Sequence, residues 1–144
     1  MNNKENEKIV ITGGGSGGHS VTSLAVIDAL EYEHPEISER IVYVGGAGKM
    51  EGEKKRSVSF EERACKQKGI KFVRIRSGKL QRQIAVRTVI GLFGVIGGIL
   101  DSWKFFQKNE VKCVFSSGGY VSVPVCFVAW LKKIPVVIHE QTTR

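Results

Sequence analysis

The chain has 144 residues, of which 42% are hydrophobic and 25% are charged, and its net charge is +8. This composition is ordinary for a globular protein and excludes a disordered or collagen-like chain, and the length suits a single domain. The positive charge is concentrated between Lys49 and Arg87, called here the basic segment, which holds thirteen basic and four acidic residues and has a net charge of +9. The rest of the chain holds nine basic and ten acidic residues, so its net charge is −1. This distribution indicates a local basic patch rather than a generally basic protein.

The cysteines and the N-terminus bear on the compartment. Cys65, Cys113 and Cys126 have no spacing typical of a zinc site, and their odd number disfavours a disulfide framework. A reducing compartment is therefore predicted. Residues 1–7 are polar and charged, lack the apolar core of a secretory signal, and are predicted to form a flexible N-terminus. We expect a cytoplasmic protein.

Strands and helices are predicted to alternate along the chain, because short β-branched runs are separated by stretches with apolar residues at helical spacing. In order, these are strand Lys8–Thr12, helix Ser20–Tyr32 ended by His34-Pro35, strand Ile41–Val44, a polar loop at 47–56, helix Ser57–Lys68 closed by Gly69, and strand Lys71–Ile75. Helix Gln81–Gln107, strand Lys112–Ser116, helix Val121–Lys132 and strand Pro135–Ile138 complete the pattern. This alternation is typical of a parallel, doubly wound α/β sheet.

The end of the chain falls close to a predicted ligand site. Arg144 lies six residues after the last predicted strand, and in doubly wound sheets the loops after strands carry the ligand. We expect this sequence to be a fragment, or the first half, of a longer protein.

A glycine-rich loop, Gly13 to Ser20 (GGGSGGHS), joins the first strand to the first helix. Glycine lets a backbone turn tightly and approach a ligand closely, and a helix start offers unpaired N–H groups and the positive end of a dipole. The loop therefore predicts a cradle for a phosphate or a developing oxyanion. A plain strand–helix turn is the alternative, but five glycines in six positions exceed what a turn requires.

The loop matches two known phosphate motifs incompletely. Gly13, Gly15 and Gly18 fit the GxGxxG dinucleotide fingerprint, but the second strand ends without the acidic residue that would hold a ribose. The loop also approaches a Walker A motif, except that His19 stands where the lysine must be. Both the oxidoreductase and the ATPase interpretations are weakened.

His19 is the candidate catalytic residue of this loop. The helix dipole disfavours its protonated form, and a neutral imidazole accepts a proton from a substrate hydroxyl. A polar helix cap is the alternative.

Two further loops follow the fourth and fifth strands and should reach the same edge of the sheet. The first is SSGGYVSVP at 116–124, and the second is HEQTTR at 139–144. Polar side chains are expected to converge there, namely Ser16, His19, Tyr120, Ser122, His139, Glu140 and Gln141.

GGGSGGH at 13–19, SGGYVSVP at 117–124 and IPVVIHEQ at 134–141 together resemble the N-terminal half of the MurG family. These are UDP-N-acetylglucosamine:lipid I N-acetylglucosaminyltransferases of peptidoglycan synthesis. The resemblance implies that residues 8–144 form a Rossmann-like, acceptor-binding domain, the first of the two domains of a GT-B enzyme, with the donor-binding second domain absent.

The resemblance also implies roles for particular residues. His19 is expected to be the base that removes a proton from the acceptor's 4-hydroxyl, which displaces UDP in one inverting, metal-independent step. No cofactor is expected besides the donor substrate, UDP-GlcNAc. Contacts with the sugar nucleotide or the acceptor diphosphate fall to Gly14, Gly15, Ser16, Gly17 and Gly18. The acceptor side falls to Gly118, Gly119, Tyr120 and Ser122, and the cleft to Glu140, Gln141 and Thr142.

Three residues depart from the family pattern. Thr22 stands where the family usually has Pro, Ser16 where Thr is commoner, and Thr142 where Asn contacts the donor. A threonine keeps a hydroxyl but lacks the paired donor and acceptor of an amide, which leaves the exact donor open.

The most apolar stretch, residues 84–100, is predicted to be a helix packed on the sheet or resting on a membrane. Its uncharged part, Thr88 to Leu100, is 13 residues, about 20 Å as a helix, too short for a bilayer core of about 30 Å. Gly91, Gly94 and Gly97 would give it one smooth face. The basic segment precedes it directly, which suits an anionic membrane surface and the lipid-linked, polyprenyl-diphosphate acceptor that the resemblance implies.

The main prediction is therefore a glycosyltransferase domain at the cytoplasmic face of the membrane, inactive alone. Alternatives are the membrane-anchor subunit of a split glycosyltransferase and a non-catalytic basic module for anionic lipid or nucleic acid. The last is disfavoured, because Phe60 and Phe72 are the only aromatic residues in the basic segment and no nucleic-acid motif is present.

Overall fold

The core of the protein is a five-stranded sheet in which every described strand pair is parallel. The computed structural model describes residues 6–15, 17–46, 58–77 and 86–140, with residues 17 and 86–93 described by their backbone alone. The strands are β1 (Lys8–Thr12), β2 (Ile41–Gly46), β3 (Lys71–Ile75), β4 (Val111–Ser116) and β5 (Val136–Ile138), in the order β3-β2-β1-β4-β5. The predicted doubly wound α/β fold is confirmed.

Three of the strand ends differ from prediction, and one of them is the start of β4, which begins one residue earlier than predicted, at Val111. β2 was expected to end at Val44, but it continues through Gly45 and Gly46, which pair with Arg74 and Ile75 of β3. The strand needs glycine at residue 45 because the Phe72 ring occupies the space that a side chain would take. Cζ of Phe72 lies 2.4 Å from the ideal Cβ position of Gly45. β5 begins one residue later than predicted, at Val136.

Within the described residues, four α-helices flank the sheet, and the starts of three of them differ from prediction. The helices are α1 (Gly17–Glu33), α2 (Phe60–Gln67), α3 (Val86–Lys108) and α4 (Ser122–Leu131), and the three that differ are α1, α2 and α4. α1 begins three residues earlier than predicted, at Gly17. The prediction excluded Gly17 and Gly18 because glycine disfavours a helix interior, but glycine is tolerated in the first turn of a helix, where backbone N–H groups make no intrahelical bond. α2 begins after Ser59, whose side chain accepts a hydrogen bond from the Glu62 N–H at 3.2 Å.

A short 3₁₀ helix, Pro35–Arg40, was not predicted. Proline at its first position fixes φ near the helical value and needs no N–H partner there. The sequence signal was interpreted only as the end of α1, which does end at Glu33. The predicted polar loop at 47–56, the first residue of the second predicted helix and the residues 81–85 of the third lie outside the described residues.

The two faces of the sheet bury separate clusters of apolar side chains. Val10, Val42 and Val114 point to one face and pack with α3 and α4, whereas Ile11 and Tyr43 point to the other face and pack with α1 and α2. This alternation follows from the two-residue period of a strand. It explains why the strands read as continuous apolar runs, since both faces are covered.

The sheet also defines where a ligand site can form. The chain winds from β1 through β2 to β3 in one direction and then crosses to β4 and β5 in the other, so the order reverses between β1 and β4. Thr12 pairs with Ser116 at the carboxyl ends of these two strands. The loops that follow them therefore begin side by side at the topological switch point, where open α/β sheets bind ligands.

The apolar helix α3 is packed on one side and exposed on the other. An added Cβ at Gly98 would lie 2.3 Å from the Arg76 carbonyl oxygen and 3.0 Å from Pro124, so glycine allows close packing there. Gly97 packs against the Arg76 side chain, whereas Ile96 and Leu100 are about half exposed. Within the described part of the chain, no helix combines the length and apolarity needed to cross a bilayer.

Candidate functional site

The loops after β1 and β4 are joined at the switch point by hydrogen bonds between buried groups. The Ser117 N–H donates to the Thr12 carbonyl at 3.0 Å, and the hydroxyls of Ser23 and Ser117 lie 2.7 Å apart. An ideal Cβ at Gly13 would lie 1.9 Å from Ser117 Oγ, so only glycine fits at this junction. The Gly13 carbonyl accepts a hydrogen bond from the buried Tyr43 hydroxyl at 2.8 Å. These hydrogen bonds hold the two loops together at the base of the site.

His19 lies in the first turn of α1, half-buried, and its imidazole is held by Ser117. Nδ1 lies 2.6 Å from the Ser117 carbonyl oxygen. A carbonyl oxygen only accepts hydrogen bonds, so Nδ1 carries the hydrogen, and in the neutral ring the lone pair is on Nε2. The Ser117 hydroxyl also donates to the His19 backbone carbonyl at 2.7 Å. Residue 117 therefore sets both the position and the tautomer of His19.

The second glycine loop packs against the His19 ring. An added Cβ would lie 3.2 Å from Cε1 at Gly118 and 3.1 Å from Cδ2 at Gly119. Gly119 has a φ of +86°, and its Cβ would also lie 2.2 Å from the Gly14 carbonyl oxygen. The two glycine loops therefore touch backbone to backbone, and this contact requires glycine at residue 119.

Tyr120 covers the first glycine loop. Its ring lies against Gly15, where an added Cβ would be 2.1 Å from Cε1. Burial raises the pKa of the Tyr120 phenol, and the nearby negative charge of Glu61 raises it further. The hydroxyl is therefore protonated at neutral pH and available as a hydrogen-bond donor.

The remaining predicted site residues differ in their surroundings. The Ser122 side chain is buried and donates to the Gly119 carbonyl at 2.8 Å, so it stabilises the turn before α4. His139 and Glu140 are exposed, and the His139 N–H donates to the Ser116 carbonyl at 2.8 Å, which brings the third loop beside the second. Thr22 donates to the Gly18 carbonyl at 3.2 Å within α1. Ser16, Gln141 and Thr142 lie outside the described residues.

The structure adds two residues that the sequence analysis did not select. Ser117 positions His19, and its place directly after a predicted strand was the available signal. Glu61, in the first turn of α2, accepts a hydrogen bond from the Ser20 hydroxyl, and its Oε1 would lie 3.0 Å from an added Cβ at Gly14. No local motif indicates this contact, because Glu61 of α2 and Gly14 of the glycine loop are 47 residues apart in sequence.

The described part of the basic segment is less cationic than its sequence predicts. Three of its six described basic side chains are in ion pairs: Lys68 with Asp28, Arg74 with Glu62 at 2.6 Å, and Arg76 with Asp101 at 2.7 Å. Two of these acids lie outside the segment, so the fold itself supplies counter-charges. The side chains outside the described set are Lys49, Lys54, Lys55, Arg56, Lys79, Arg82 and Arg87.

The fold and the site define a Rossmann-like domain with two glycine loops and an oriented histidine at the switch point. Comparison with known proteins gives its family. Residues 9–144 match the glycosyltransferase family 28 N-terminal domain, and the chain belongs to this family.

Three curated relatives illustrate the similarity. Each is named as a UDP-N-acetylglucosamine--N-acetylmuramyl-(pentapeptide) pyrophosphoryl-undecaprenol N-acetylglucosamine transferase. The Bacillus cereus relative, numbered 2, is 35% identical over 134 residues, 93% of this chain and 34% of its own. The Clostridium tetani relative is 34% identical over the same coverage, and the Treponema pallidum relative is 36% identical over 92% of this chain and 31% of its own. The chain thus spans about a third of the relatives' length.

A solved structure shows the same fold. The crystal structure of Acinetobacter baumannii MurG matches 92% of this chain and 34% of its own with a TM-score of 0.64 at 22% identity. This similarity confirms the Rossmann-like fold that was expected for the first domain of a GT-B enzyme.

Proposed function

We propose that this chain forms the acceptor-binding part of an enzyme that transfers N-acetylglucosamine from UDP-GlcNAc to a muramyl-pentapeptide diphosphate carried on a polyprenol. The main support for this proposal is the orientation of His19. Its Nδ1–H donates to the Ser117 carbonyl, so in the neutral ring the lone pair is on Nε2. The names of the relatives from Bacillus cereus and Clostridium tetani supply the substrates of the proposal. Because the chain spans a third of these relatives, we place the donor site in the part of such enzymes that lies outside the match.

In the proposed step, Nε2 of His19 takes the proton of the acceptor's 4-hydroxyl. At the same time, the oxygen of that hydroxyl forms a bond to C1 of the N-acetylglucosamine of the donor. The bond from C1 to the UDP oxygen breaks at the same time, and UDP leaves with the electron pair. Attack opposite the leaving group inverts the anomeric centre, and we propose that no metal takes part. The Ser117 carbonyl stabilises the imidazolium, because the hydrogen bond that Nδ1–H donates to this carbonyl becomes stronger when the ring carries a positive charge.

Glycine loops suit the acceptor diphosphate for two reasons. The first turn of α1 contains Gly17, Gly18 and His19, so the backbone N–H groups of this turn lie at the positive end of the helix dipole, which attracts an anion. The Tyr120 hydroxyl adds a protonated donor beside Gly15. We propose that Ser16, Gln141 and Thr142 complete the site, with Glu140 in the cleft.

A chimera tests the catalytic role. Residues 1–144 would replace the matching third of the Bacillus cereus relative, and transfer of labelled N-acetylglucosamine to the lipid-linked acceptor would be measured. We expect His19→Ala to lower kcat by about 10²–10⁴-fold with little change in the acceptor KM. An unchanged kcat would remove His19 from the chemistry.

We also propose that the protein binds the cytoplasmic face of an anionic membrane, through a surface different from the basic segment. Exposed apolar side chains on α3 and α4 lie beside lysines, and Lys132 Nζ is 4.7 Å from the centre of the Trp103 ring. Phe127 and Trp130 are exposed and in contact, with ring centroids 6.0 Å apart. Aromatic groups flanked by cations suit the headgroup region of an anionic bilayer.

Vesicle co-sedimentation tests the surface. We expect binding to vesicles containing phosphatidylglycerol, weaker binding at high salt, and a several-fold loss of binding in Trp130→Ala. Tyr32→Ala is the matched control, because Tyr32 is 85% exposed on α1, at the opposite face of the sheet. Equal binding to neutral vesicles, or equal losses in both variants, would contradict the proposal.

A further inference from the structure

Glu61 brings a carboxylate to the glycine loop from a distant part of the chain. It lies in the first turn of α2, where the Ser59 cap fixes the start of the helix. Its Oε1 accepts a hydrogen bond from the buried Ser20 hydroxyl in the first turn of α1. The same oxygen is within 3.0 Å of the Cβ position of Gly14. The carboxylate is therefore fixed against the loop that we propose binds the acceptor.

The second carboxylate oxygen of Glu61 has no hydrogen-bond partner among the residues that the structure describes. Within the described part of the chain, Ser20 provides the only hydrogen bond to this side chain. Glu61 is partly exposed, so a ligand at the loop can reach it. Its charge is felt across the site, since it raises the pKa of the Tyr120 phenol in addition to the larger effect of burial.

A carboxylate in this position divides the loop into two chemically different parts. It repels a diphosphate bound at the Gly14 side, whereas the N–H groups at the start of α1 attract one. A carboxylate accepts hydrogen bonds strongly from neutral hydroxyls, and a sugar supplies several. The Glu61 side therefore favours the sugar, and the α1 side favours the diphosphate.

We propose that Glu61 binds a hydroxyl of the acceptor sugar and determines the orientation of the acceptor across the glycine loop. This inference rests on the proposed function, because it assumes that a glycosylated diphosphate binds here. Glu61 would act as a specificity-determining residue that discriminates a sugar-bearing lipid diphosphate from a bare one.

The test compares two ligands with the 144-residue protein. One is a short-chain prenyl diphosphate bearing N-acetylmuramyl-pentapeptide, and the other is the same prenyl diphosphate without the sugar. The variant is Glu61→Gln, which keeps an acceptor oxygen for Ser20 and so preserves the link between α1 and α2. Glu62→Gln is the matched control, because Glu62 is the next residue of α2 but pairs with Arg74.

For Glu61→Gln we expect the Kd of the sugar-bearing ligand to rise about tenfold, as for a lost hydrogen bond to a charged group. The Kd of the bare diphosphate should fall about two- to tenfold at low salt, because a repelling charge is removed, and this gain should shrink as salt rises. Glu62→Gln should leave the ratio of the two Kd values unchanged.

Three results would overturn the inference. Equal changes for both ligands in Glu61→Gln would show that Glu61 only ties α2 to α1, and unchanged values would show that it does not face the ligand. Both of these leave the proposed function intact. Failure of the wild-type protein to bind either ligand would instead refute acceptor binding itself, and the role of Glu61 with it.

Discussion

Replacing Gly119 with alanine tests the backbone contact between the two glycine loops. The residue has a φ of +86°, and an added Cβ would lie 2.2 Å from the Gly14 carbonyl oxygen. A left-handed conformation costs a residue with a side chain about 1–2 kcal/mol. The 2.2 Å approach is far inside van der Waals contact with an atom of the backbone, so the loops must also separate. Together these effects predict a loss of about 3–5 kcal/mol in the free energy of unfolding.

Two other glycines separate the two contributions. Gly69 has a φ of +73° but no atom within 4 Å of its Cβ position, so Gly69→Ala carries only the backbone cost of about 1–2 kcal/mol. Gly98 has no positive φ, but its Cβ would lie 2.3 Å from the Arg76 carbonyl oxygen, so Gly98→Ala carries the steric cost without the backbone cost. About 1 kcal/mol of gained helix propensity partly offsets that steric cost, because Gly98 lies inside α3. The order of destabilisation should be Gly119→Ala, then Gly98→Ala, then Gly69→Ala.

Urea unfolding followed by circular dichroism measures these losses. The midpoint should fall while the m-value stays constant, because the surface exposed on unfolding is unchanged. At about 4 °C per kcal/mol, the Tm of Gly119→Ala should fall by about 12–20 °C. If Gly119→Ala were no more destabilised than Gly69→Ala, the contact between Gly119 and Gly14 would not exist, and the assembly of the site around His19 would have to be rejected.

Three other variants test the ion pairs, the buried thiol and the positioning of His19. The bidentate bond with Arg76 lowers the pKa of the Asp101 carboxyl, so its contribution to stability is present above pH 3.8, the ordinary value, and is progressively lost as pH falls below it. Asp101→Asn should therefore cost at most about 1 kcal/mol at pH 7 and less than that below pH 3.8 in urea unfolding, and an equal cost at both pH values would contradict this. Burial raises the pKa of the Cys65 thiol from 9.0 to about 12, so between these pH values the thiol ionises only in the unfolded state and the free energy of unfolding falls as pH rises. We expect Cys65→Ala to lessen this alkaline loss of stability. An identical fall with pH in both proteins would contradict the assignment of the loss to Cys65. Ser117→Ala removes the hydrogen bond from the hydroxyl to the His19 carbonyl but keeps the bond between the Ser117 carbonyl and Nδ1 of His19. We therefore expect ¹⁵N NMR to show the same protonated Nδ1, while the free energy of unfolding falls by about 1–2 kcal/mol. A change of tautomer would mean that the hydroxyl, not the carbonyl, orients the ring.

The order and type of the main elements could be predicted because their signals are local. Residues 9–12 are all β-branched and run directly into glycine, and β1 has the predicted bounds, Lys8–Thr12. Gly69 was predicted to close the second helix, and it adopts a φ of +73° just after α2. In both cases the decisive interaction lies within a few residues, so the sequence pattern contains it.

Errors arose where tertiary contacts decided the outcome. Gly17 and Gly18 disfavour a helix by propensity, yet α1 begins there because the loop is held by contacts with residues about 100 positions away. The cationic patch expected of the basic segment stays a prediction, because seven of its thirteen basic side chains lie outside the described residues. In the described part, ion pairs with Asp28 and Asp101 offset some of the charge, and neither partner can be identified from the local sequence.

By itself, the sequence determined the alternating pattern, the convergence of the glycine loops at one edge of the sheet and the candidacy of His19, because these depend on periodicity, glycine chemistry and chain order. Only the tertiary structure decided how the histidine can act. The Ser117 carbonyl fixes its tautomer, Gly118 and Gly119 pack against its ring, and Glu61 approaches the loop from α2. These groups come from separate segments, and only the pairing of parallel strands and the packing of helices on the sheet bring them within hydrogen-bond distance.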